Sequence, residues 1–320
     1  MKLFRRLFKK EDIVKELWEH LDDMRYGRMR KVNNEFYSGG SYYAYRTVVK
    51  HLDNFLHGKR ISSKSINEPF IYEFIEYMES LMLSKNTIKN NIKNLYTLLN
   101  RLNRIGKIGK CNLPELRLPK DKTIKVYLSA EELVWLKNLK LSSHDRLSTV
   151  RDIFLVQCYT SLRFSDASKI MKNPKPFYYE ENGHKYFKII TKKTRQPLII
   201  PLKKEVIEIL ENTNFKGRTI CIQQYNKLLK VLCELAGINK EIIHYVEKGG
   251  KRQEEVKKKY EMISSHTGRR TFITNAVLDG IPLVQVKAIS GHATVESLLN
   301  YLHASNIEIA ERNFKYNYFS

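Results

Sequence analysis

The last quarter of the chain contains Ser265-His266-Thr267-Gly268-Arg269-Arg270-Thr271-Phe272, followed by Ile289-Ser290-Gly291-His292 and then by Tyr301. On a helix, His266 and Arg269 lie three residues apart and share a face, so an imidazole and a guanidinium can converge on one anion. Tyr301 follows the histidine of the second motif by nine residues, across a turn into a helix. Each residue alone has an ordinary structural explanation: a capping His, a surface Arg or a core Tyr.

A further arginine lies upstream, in Tyr159-Thr160-Ser161-Leu162-Arg163-Phe164-Ser165-Asp166, directly after the mostly apolar segment Ser148 to Tyr159. That segment predicts a helix. Between the two basic motifs, Tyr186 to Thr191 and Pro197 to Leu202 are rich in β-branched and aromatic residues and flank the polar Lys192 to Gln196. This pattern predicts a β-hairpin with lysines at its tip.

Composition narrows the class of protein. The 320 residues include 57 Lys and Arg against 34 Asp and Glu, a formal charge of +23, which predicts a polyanionic partner. At about 150 residues per domain the length predicts about two domains. The apolar runs are much shorter than the ~20 residues of a membrane span, and the basic start lacks the apolar stretch of a signal peptide. We therefore expect a soluble, cytoplasmic protein.

Cofactors are not expected. The four cysteines form no C-x-x-C pair, and the nine histidines form no H-x-x-x-H pair on one helix, which argues against a structural metal site and a disulfide framework. The sequence also lacks a G-x-x-x-x-G-K-[ST] loop, which argues against ATP-driven action.

The N-terminal half is helical and basic. Apolar residues at steps of three and four predict helices over Ser41 to Leu56, around Ile71 to Met82 and over Asn86 to Ile105, and a further helix is predicted over Glu11 to Arg30. The segment from Leu81 to Lys120 contains nine basic residues and one acidic residue. Salt bridges within the segment therefore cannot explain why it holds so many basic residues. A solvated helix face is the alternative, but we predict phosphate contacts. The candidate DNA-binding residues here are Lys85, Lys89, Lys93, Arg101 and Arg104.

A linker separates the two halves of the chain. Gly106 to Thr123 is rich in Pro, Gly and Lys and breaks the helical pattern. Ser129 and Glu132 then form a capping box at a new helix start. The formal charge is +11 over residues 1–123 and +12 over residues 124–320. Two basic lobes joined by a basic linker are therefore expected to enclose a duplex.

In their order along the chain, these motifs resemble the tyrosine recombinase (phage integrase) family. The resemblance rests on a Thr-Gly-Leu-Arg-like box ending in Arg163, a lysine at a hairpin tip, His-x-x-Arg at His266 and Arg269, and Gly-His at Gly291-His292 with a tyrosine nine residues later. It covers essentially residues 124–315. The Lys-Thr hairpin and the apolar strand after it are most similar to short integrases and invertases of Bacteroidetes mobile elements.

The resemblance implies a fold that is mainly α with a small antiparallel β-sheet (α+β). It implies a basic N-terminal extension with a helix (1–40), a helical, SAM-like core-binding DNA-binding domain (41–110), a linker (111–123) and a catalytic tyrosine recombinase domain (124–320). Many integrases carry a further arm-binding domain. Only forty residues precede Ser41, so we expect none here, which favours a simple invertase, resolvase or short transposon recombinase.

The implied activity is site-specific DNA recombination through a 3′-phosphotyrosine intermediate, without metal or ATP. Tyr301 is the implied nucleophile, and a phenol suits that role because its phosphodiester stores the energy of the broken bond. Arg163 and Arg269 bind the phosphate oxygens through planar guanidinium groups. His266 assists removal of the phenolic proton, and His292 hydrogen-bonds the phosphate.

The acid that protonates the leaving 5′ oxygen is implied to be a lysine at the hairpin tip. Lys192 and Lys193 are adjacent, and we prefer Lys193 because it precedes Thr194, as in the family's Lys-Thr form. Lys192 is then a phosphate contact. Asp166, three residues after Arg163, resembles the family acid that orients the catalytic groups, and a helix-terminal Asp is the alternative explanation.

The sequence departs from the family pattern at several positions. Ser161 replaces the usual Gly, Gly268 stands where many members have Leu, Ser290 replaces the usual Leu before Gly-His, and Ser297-Leu298 replaces the common Thr-Thr. None of these changes removes a functional group, so we expect them to affect packing rather than chemistry.

Two alternatives remain at this stage. A type IB topoisomerase uses similar residues as a monomer that relaxes supercoils, and a DNA-binding architectural protein could retain the scaffold without activity. The helical N-terminal module favours the recombinase over the first. The full set of six catalytic residues favours an enzyme over the second. Tyr316 and Tyr318 are rival phenols, but their spacing from His292 does not match the family.

The expected partners are double-stranded DNA, three further copies of the chain in a homotetramer on two DNA sites, and an accessory DNA-bending protein, without a membrane. The chain is expected in a bacterial cytoplasm, on the nucleoid when it is bound to DNA. The tail from Ile307 to Phe319 has a short apolar pattern. It is expected to dock either in a neighbouring subunit or on its own domain.

We predict a steep salt dependence of duplex binding. If lysines and arginines neutralise six or more phosphates, raising the salt from 50 to 200 mM should weaken binding by on the order of 10³-fold through counterion uptake. Fluorescence anisotropy with a labelled duplex measures this slope. A negligible slope would contradict enclosure of DNA by basic surfaces.

Overall fold

A computed structural model describes residues 11–31, 33–116, 118, 124–142 and 146–314. Their contacts divide the chain into two compact units. Unit 1 contains residues 1–123 together with 244–255, and unit 2 contains residues 124–243 and 256–320. None of the helices in the described ranges is both long and apolar enough to span a membrane.

Unit 1 is a bundle of helices α1 (Ile13–Arg25), α2 (Gly39–Leu56), α3 (Glu68–Ser80) and α4 (Lys85–Arg104). Each begins at a side-chain cap of the type that satisfies free backbone N–H groups, and the caps are Asp12, Ser38, Asn67 and Ser84. Helix α1 packs against α2 and α4 and buries its apolar face in the same core. The helix expected in an N-terminal extension is therefore part of this bundle.

Unit 2 is built around α6 (Arg146–Thr160), which is buried on nearly every side. It packs against α10 (Ser265–Leu278), α9 (Ile222–Leu235) and α7 (Phe164–Lys172). Around these lie α5 (Ala130–Asn138), α8 (Lys204–Asn212), α11 (Leu283–Ser290), α12 (Val295–Leu299) and α13 (Asn306–Asn313). The capping box predicted at Ser129 and Glu132 is present.

The strands form two small antiparallel sheets. Strands β1 (Tyr178–Glu181), β2 (His184–Ile190) and β3 (Pro197–Pro201) pair in that order, with Lys188 opposite Ile199. The hairpin of β2 and β3 was predicted from the sequence. The mainly helical fold class with a small antiparallel sheet is confirmed.

The second hairpin, β4 (Glu241–Lys248) and β5 (Lys251–Lys258), was not predicted, because helical periodicity was expected after Lys203. Its turn is Gly249-Gly250, with φ of 57° and 70°, a left-handed pair that favours glycine and matches a two-residue hairpin turn. Residues 244–255 of this hairpin group with unit 1. The predicted domain boundaries placed these residues in the catalytic domain.

Candidate active site

All the sequence-predicted catalytic residues lie in unit 2. Arg163 is half-buried and is the residue immediately before α7, two positions after Ser161. Ser161 has φ of 61°, in the left-handed region that costs a side-chain-bearing residue roughly 1 kcal/mol. Its carbonyl oxygen accepts a hydrogen bond from Nη1 of Arg269 at 2.8 Å. The loop that carries the first arginine is thereby joined to the second.

Helix α10 carries His266 and Arg269 on one face, as the spacing predicted. His266 lies exposed in the first turn, and Arg269 is only 2% exposed. Among the described residues, the buried Nε of Arg269 has no hydrogen-bond partner. A guanidinium in this position retains a donor for an incoming anion.

His292 is buried beside Arg269. Helix α11 ends at Ser290, the chain turns at Gly291 with φ of 66°, and the ring of His292 then lies 3.0 Å from Nη2 of Arg269 through Nε2. Nδ1 lies 2.8 Å from Oγ of Ser290. A neutral ring whose Nδ1–H donates to Ser290 and whose Nε2 accepts from Arg269 satisfies both contacts.

Tyr301 lies against the same two side chains. Its ring centroid is 5.0 Å from that of His292, and Cζ of Arg269 lies 5.5 Å from it. Thr274 fixes the backbone at this point, because its hydroxyl donates to the carbonyl of Tyr301 at 3.4 Å and accepts from the backbone N–H of His303 at 3.2 Å. Helix α10 therefore positions the phenol as well as the cations.

The β2–β3 turn is held at the site by Asp166. Its Oδ1 accepts a hydrogen bond from the backbone N–H of Lys192 at 2.9 Å, and the hydroxyls of Thr191 and Thr194 are 2.8 Å apart across the turn. Both lysine side chains are exposed. The charge of Lys193 contributes to lowering the pKa of His266, which places it among the site's cations.

The electrostatics of the site are strongly positive. Burial and then the charges of Arg269 and Arg163 lower the pKa of His292 to about 3. The pKa of His266 is lowered by partial desolvation of its ring and then by Arg270, Arg269, Arg163 and Lys193. Both imidazoles are therefore neutral at pH 7.

Arg269 itself is affected by the same field. Burial and then Arg163 lower the pKa of Arg269 to about 10, while Tyr301 and Asp166 act in the opposite direction. Guanidinium groups crowded in this way favour a negatively charged ligand between them.

Family models and solved structures give a consistent picture. A model of the phage integrase family matches residues 136–307, and a model of the phage integrase SAM-like domain matches residues 24–110. The chain belongs to the phage integrase family. The family inferred from the sequence is thus confirmed, and with it an enzyme that carries out site-specific DNA recombination.

Three solved structures share the fold of this integrase. The XerH site-specific recombinase bound to palindromic difH substrate is 18% identical, with a TM-score of 0.65 over 94% of this chain and 84% of that chain. The Tn1549 transposon integrase in complex with circular intermediate DNA is 15% identical, with a TM-score of 0.63 over 94% and 99%. A lambda integrase dimer bound to a COC′ core site is 13% identical, with a TM-score of 0.61 over 90% and 95%. A comparison with curated proteins gave no match.

The candidate DNA-binding residues of the integrase differ in their surroundings. Within unit 1, Lys85 forms a 2.9 Å ion pair with Glu247 of β4, so a distant residue supplies negative charge that the local sequence lacks. Lys89 donates to the carbonyl of Leu118, and Arg101 donates to the carbonyl of Arg30 at 2.6 Å. Lys93, Arg104 and Lys192 are exposed. Contact with DNA by all six stays a prediction.

Sequence reasoning missed two residues that border the site, Thr274 and Arg270. Arg270 is half-buried, and its Nη1 donates to the carbonyl of Val126 at 3.0 Å. Its position next to Arg269 in the motif was the available signal. In the described part of the chain, no group of three His, Cys, Asp or Glu side chains could hold a metal ion.

We predict that Ser161→Gly leaves the integrase active and does not lower its stability. The free energy of unfolding should equal that of the wild type or exceed it by up to about 1 kcal/mol. Glycine relieves the left-handed strain and removes a buried hydroxyl that has no partner in the described structure, and its greater entropy in the unfolded chain offsets part of that gain. Ser161→Val is the control and should be destabilised by about 2 kcal/mol. Urea unfolding measures both, and a glycine variant less stable than the wild type would contradict the explanation.

Proposed function

We propose that this integrase breaks and rejoins DNA through Tyr301, which forms a 3′-phosphotyrosine intermediate without metal or ATP. The observation that supports this most is the packing of the Tyr301 ring against both Arg269 and His292. A phenol at the edge of a cluster of cations can reach a phosphate that the same cations bind.

The covalent step needs no cofactor, because one O–P bond forms as another breaks. The phenolic oxygen of Tyr301 attacks the scissile phosphorus in line, the new O–P bond forms, and the bond to the 5′ oxygen breaks. Arg163 and Arg269 stabilise the charge on the non-bridging oxygens during this step. In the second half of the reaction, the 5′ hydroxyl of another strand attacks the phosphotyrosine, which restores the phenol and reseals the DNA.

Two proton transfers accompany cleavage. We assign removal of the phenolic proton to His266, and the lowered pKa of its ring keeps it in the neutral state that can accept a proton at pH 7. Lys193 gives a proton to the leaving 5′ oxygen. Asp166 holds the turn that carries Lys193 through the backbone of Lys192. His292 donates to the phosphate after its proton moves to Nε2, and the hydroxyl of Ser290 can then donate to Nδ1.

Double-stranded DNA is the proposed partner. The charge of +23 and the DNA complexes among the structural neighbours support it. Strand exchange joins two duplexes and needs four cleavages, so we propose a homotetramer with ring-like contacts between copies. An accessory DNA-bending protein, a bacterial mobile-element context and a location on the nucleoid are further parts of the proposal.

We predict that Tyr301→Phe abolishes formation of a covalent protein–DNA adduct while leaving DNA binding intact, because the variant lacks only the attacking oxygen. The integrase is incubated with supercoiled DNA carrying its native flanking sequences, without metal or ATP, and denaturing gels are read for protein-linked DNA. Tyr316→Phe and Tyr318→Phe are matched controls and should form the adduct. Recombinant-sized products support a recombinase, whereas relaxed circles alone would favour a topoisomerase. Adduct formation by Tyr301→Phe would refute the assignment of the nucleophile.

We predict that Lys193→Ala slows cleavage by on the order of 10²-fold or more, the usual contribution of a general acid. A substrate with sulfur in place of the bridging 5′ oxygen should restore the rate, because a thiolate leaves without protonation. Lys192→Ala removes the same charge from the adjacent position and is the control. Equal defects in the two variants, or no rescue by sulfur, would contradict the role of Lys193.

A further inference from the structure

Gln157 connects the two parts of the site that carry its cations. It lies in α6 and is completely buried. Its Nε2 donates to the carbonyl of Leu162 at 3.0 Å and to the carbonyl of Ser265 at 3.2 Å. Leu162 immediately precedes Arg163, and Ser265 immediately precedes His266. One amide group therefore holds the backbone next to both residues.

Only a primary amide suits this position. The two carbonyls require two N–H donors from one nitrogen atom. The amide oxygen Oε1 accepts a hydrogen bond from the hydroxyl of Tyr225 at 2.6 Å. A carboxylate would direct oxygen at the two carbonyls. An apolar side chain would leave the carbonyls of Leu162 and Ser265 and the buried hydroxyl of Tyr225 without these bonds, which is unfavourable.

Gly268 allows the two helices to approach closely enough for this arrangement. A Cβ atom at Gly268 would lie 2.7 Å from Cβ of Gln157 and 3.4 Å from the backbone N of Cys158. Any side chain at this position would push α10 away from α6. A Leu at this position, as in many family members, would therefore not fit at the present distance between α6 and α10.

A second bond supports the same alignment. Arg269 donates from α10 to the carbonyl of Ser161, two residues before Arg163. The guanidinium in this bond is also the proposed phosphate ligand, whereas the side chain of Gln157 bonds only to protein groups. Its three bonds are all to groups inside unit 2.

We propose that Gln157 is a positioning residue that sets the distance between Arg163 and the pair His266 and Arg269, so that all three meet one phosphate. This inference rests on the proposed function. Beyond that function, the inference identifies the buried amide of Gln157 and the neighbouring Gly268 as the elements that align the catalytic groups.

The test compares single-turnover cleavage rates at saturating DNA with the dissociation constant for the same DNA. Gln157→Met has a similar length without hydrogen-bonding groups, and we expect its first-order cleavage rate to fall by on the order of 10²-fold, the effect of about 1 Å of misplacement. DNA affinity should stay within about threefold, because contacts to the DNA backbone dominate it. Gly268→Ala, which retains every functional group, is expected to reproduce the split between rate and affinity.

Asn275→Ala is the matched control. It removes a different amide bond of α10, the 3.1 Å bond to the carbonyl of Leu128. It is expected to lower thermal stability without slowing cleavage of the folded protein. Circular dichroism at the assay temperature verifies that each variant is folded, and if Gln157→Met is not folded, Gly268→Ala alone decides the outcome.

The results separate the two proposals. If the wild type cleaves DNA and Gln157→Met cleaves it at an undiminished rate, the positioning role alone is overturned. If Gln157→Met is unfolded, an undiminished rate in Gly268→Ala has the same meaning. An equal slowing in Asn275→Ala would also overturn the positioning role. A wild-type protein that forms no adduct, even on nicked substrates that trap the intermediate, would overturn the proposed function, and the positioning role with it.

Discussion

Arg269 keeps a guanidinium charge almost completely out of water, between the carbonyl oxygen of Ser161 and the ring of His292. Burial of a charge is unfavourable unless hydrogen bonds and opposite charge compensate it. Here a carbonyl, a neutral imidazole and the field of Asp166 compensate it only in part, and Arg163 opposes it. The folded site is therefore electrostatically incomplete without an anion. We propose that a DNA phosphate supplies this charge, since Arg269 and His292 already lie together in the structure without DNA.

Three departures of this chain from its family, at Ser161, Gly268 and Ser290, have physical explanations in the same neighbourhood. Ser161 adopts the left-handed backbone that glycine adopts more easily, and its carbonyl receives Arg269. Gly268 provides room for the close contact with Gln157. Ser290 places a hydroxyl against His292, and a hydroxyl can serve either tautomer of the ring. Substitutions that look like weakened motifs are thus adjustments between neighbouring residues.

The sequence predicted most of the fold because its signals are local. Apolar periodicity identified the helices of unit 1, a capping box identified the start of α5, and β-branched runs around a polar turn identified the β2–β3 hairpin. The order of the motifs predicted the catalytic set, and the structure places those residues in one unit. Whether each performs its assigned step stays a prediction.

Hydrogen bonds and ion pairs between residues far apart in the chain could not be predicted from the sequence. Gln157 is a polar residue in a mostly apolar helix, and its partner Ser265 is 108 positions away in the sequence. The pairing of Lys85 with Glu247 joins residues 162 positions apart, and a count of charges within the basic stretch does not include it. The β4–β5 hairpin had a Gly-Gly turn signal, but the helical pattern of its neighbours obscured it.

The most direct measurement is a crystal structure of the full-length Tyr301→Phe variant bound to its uncleaved DNA site. If the cations gathered around Arg269 form a phosphate site, the scissile phosphate lies within about 3 Å of the guanidinium groups of Arg163 and Arg269, and residue 301 is positioned for in-line attack. A scissile phosphate bound elsewhere, with Arg269 still enclosed by Ser161 and His292, would contradict the presence of a phosphate site around Arg269.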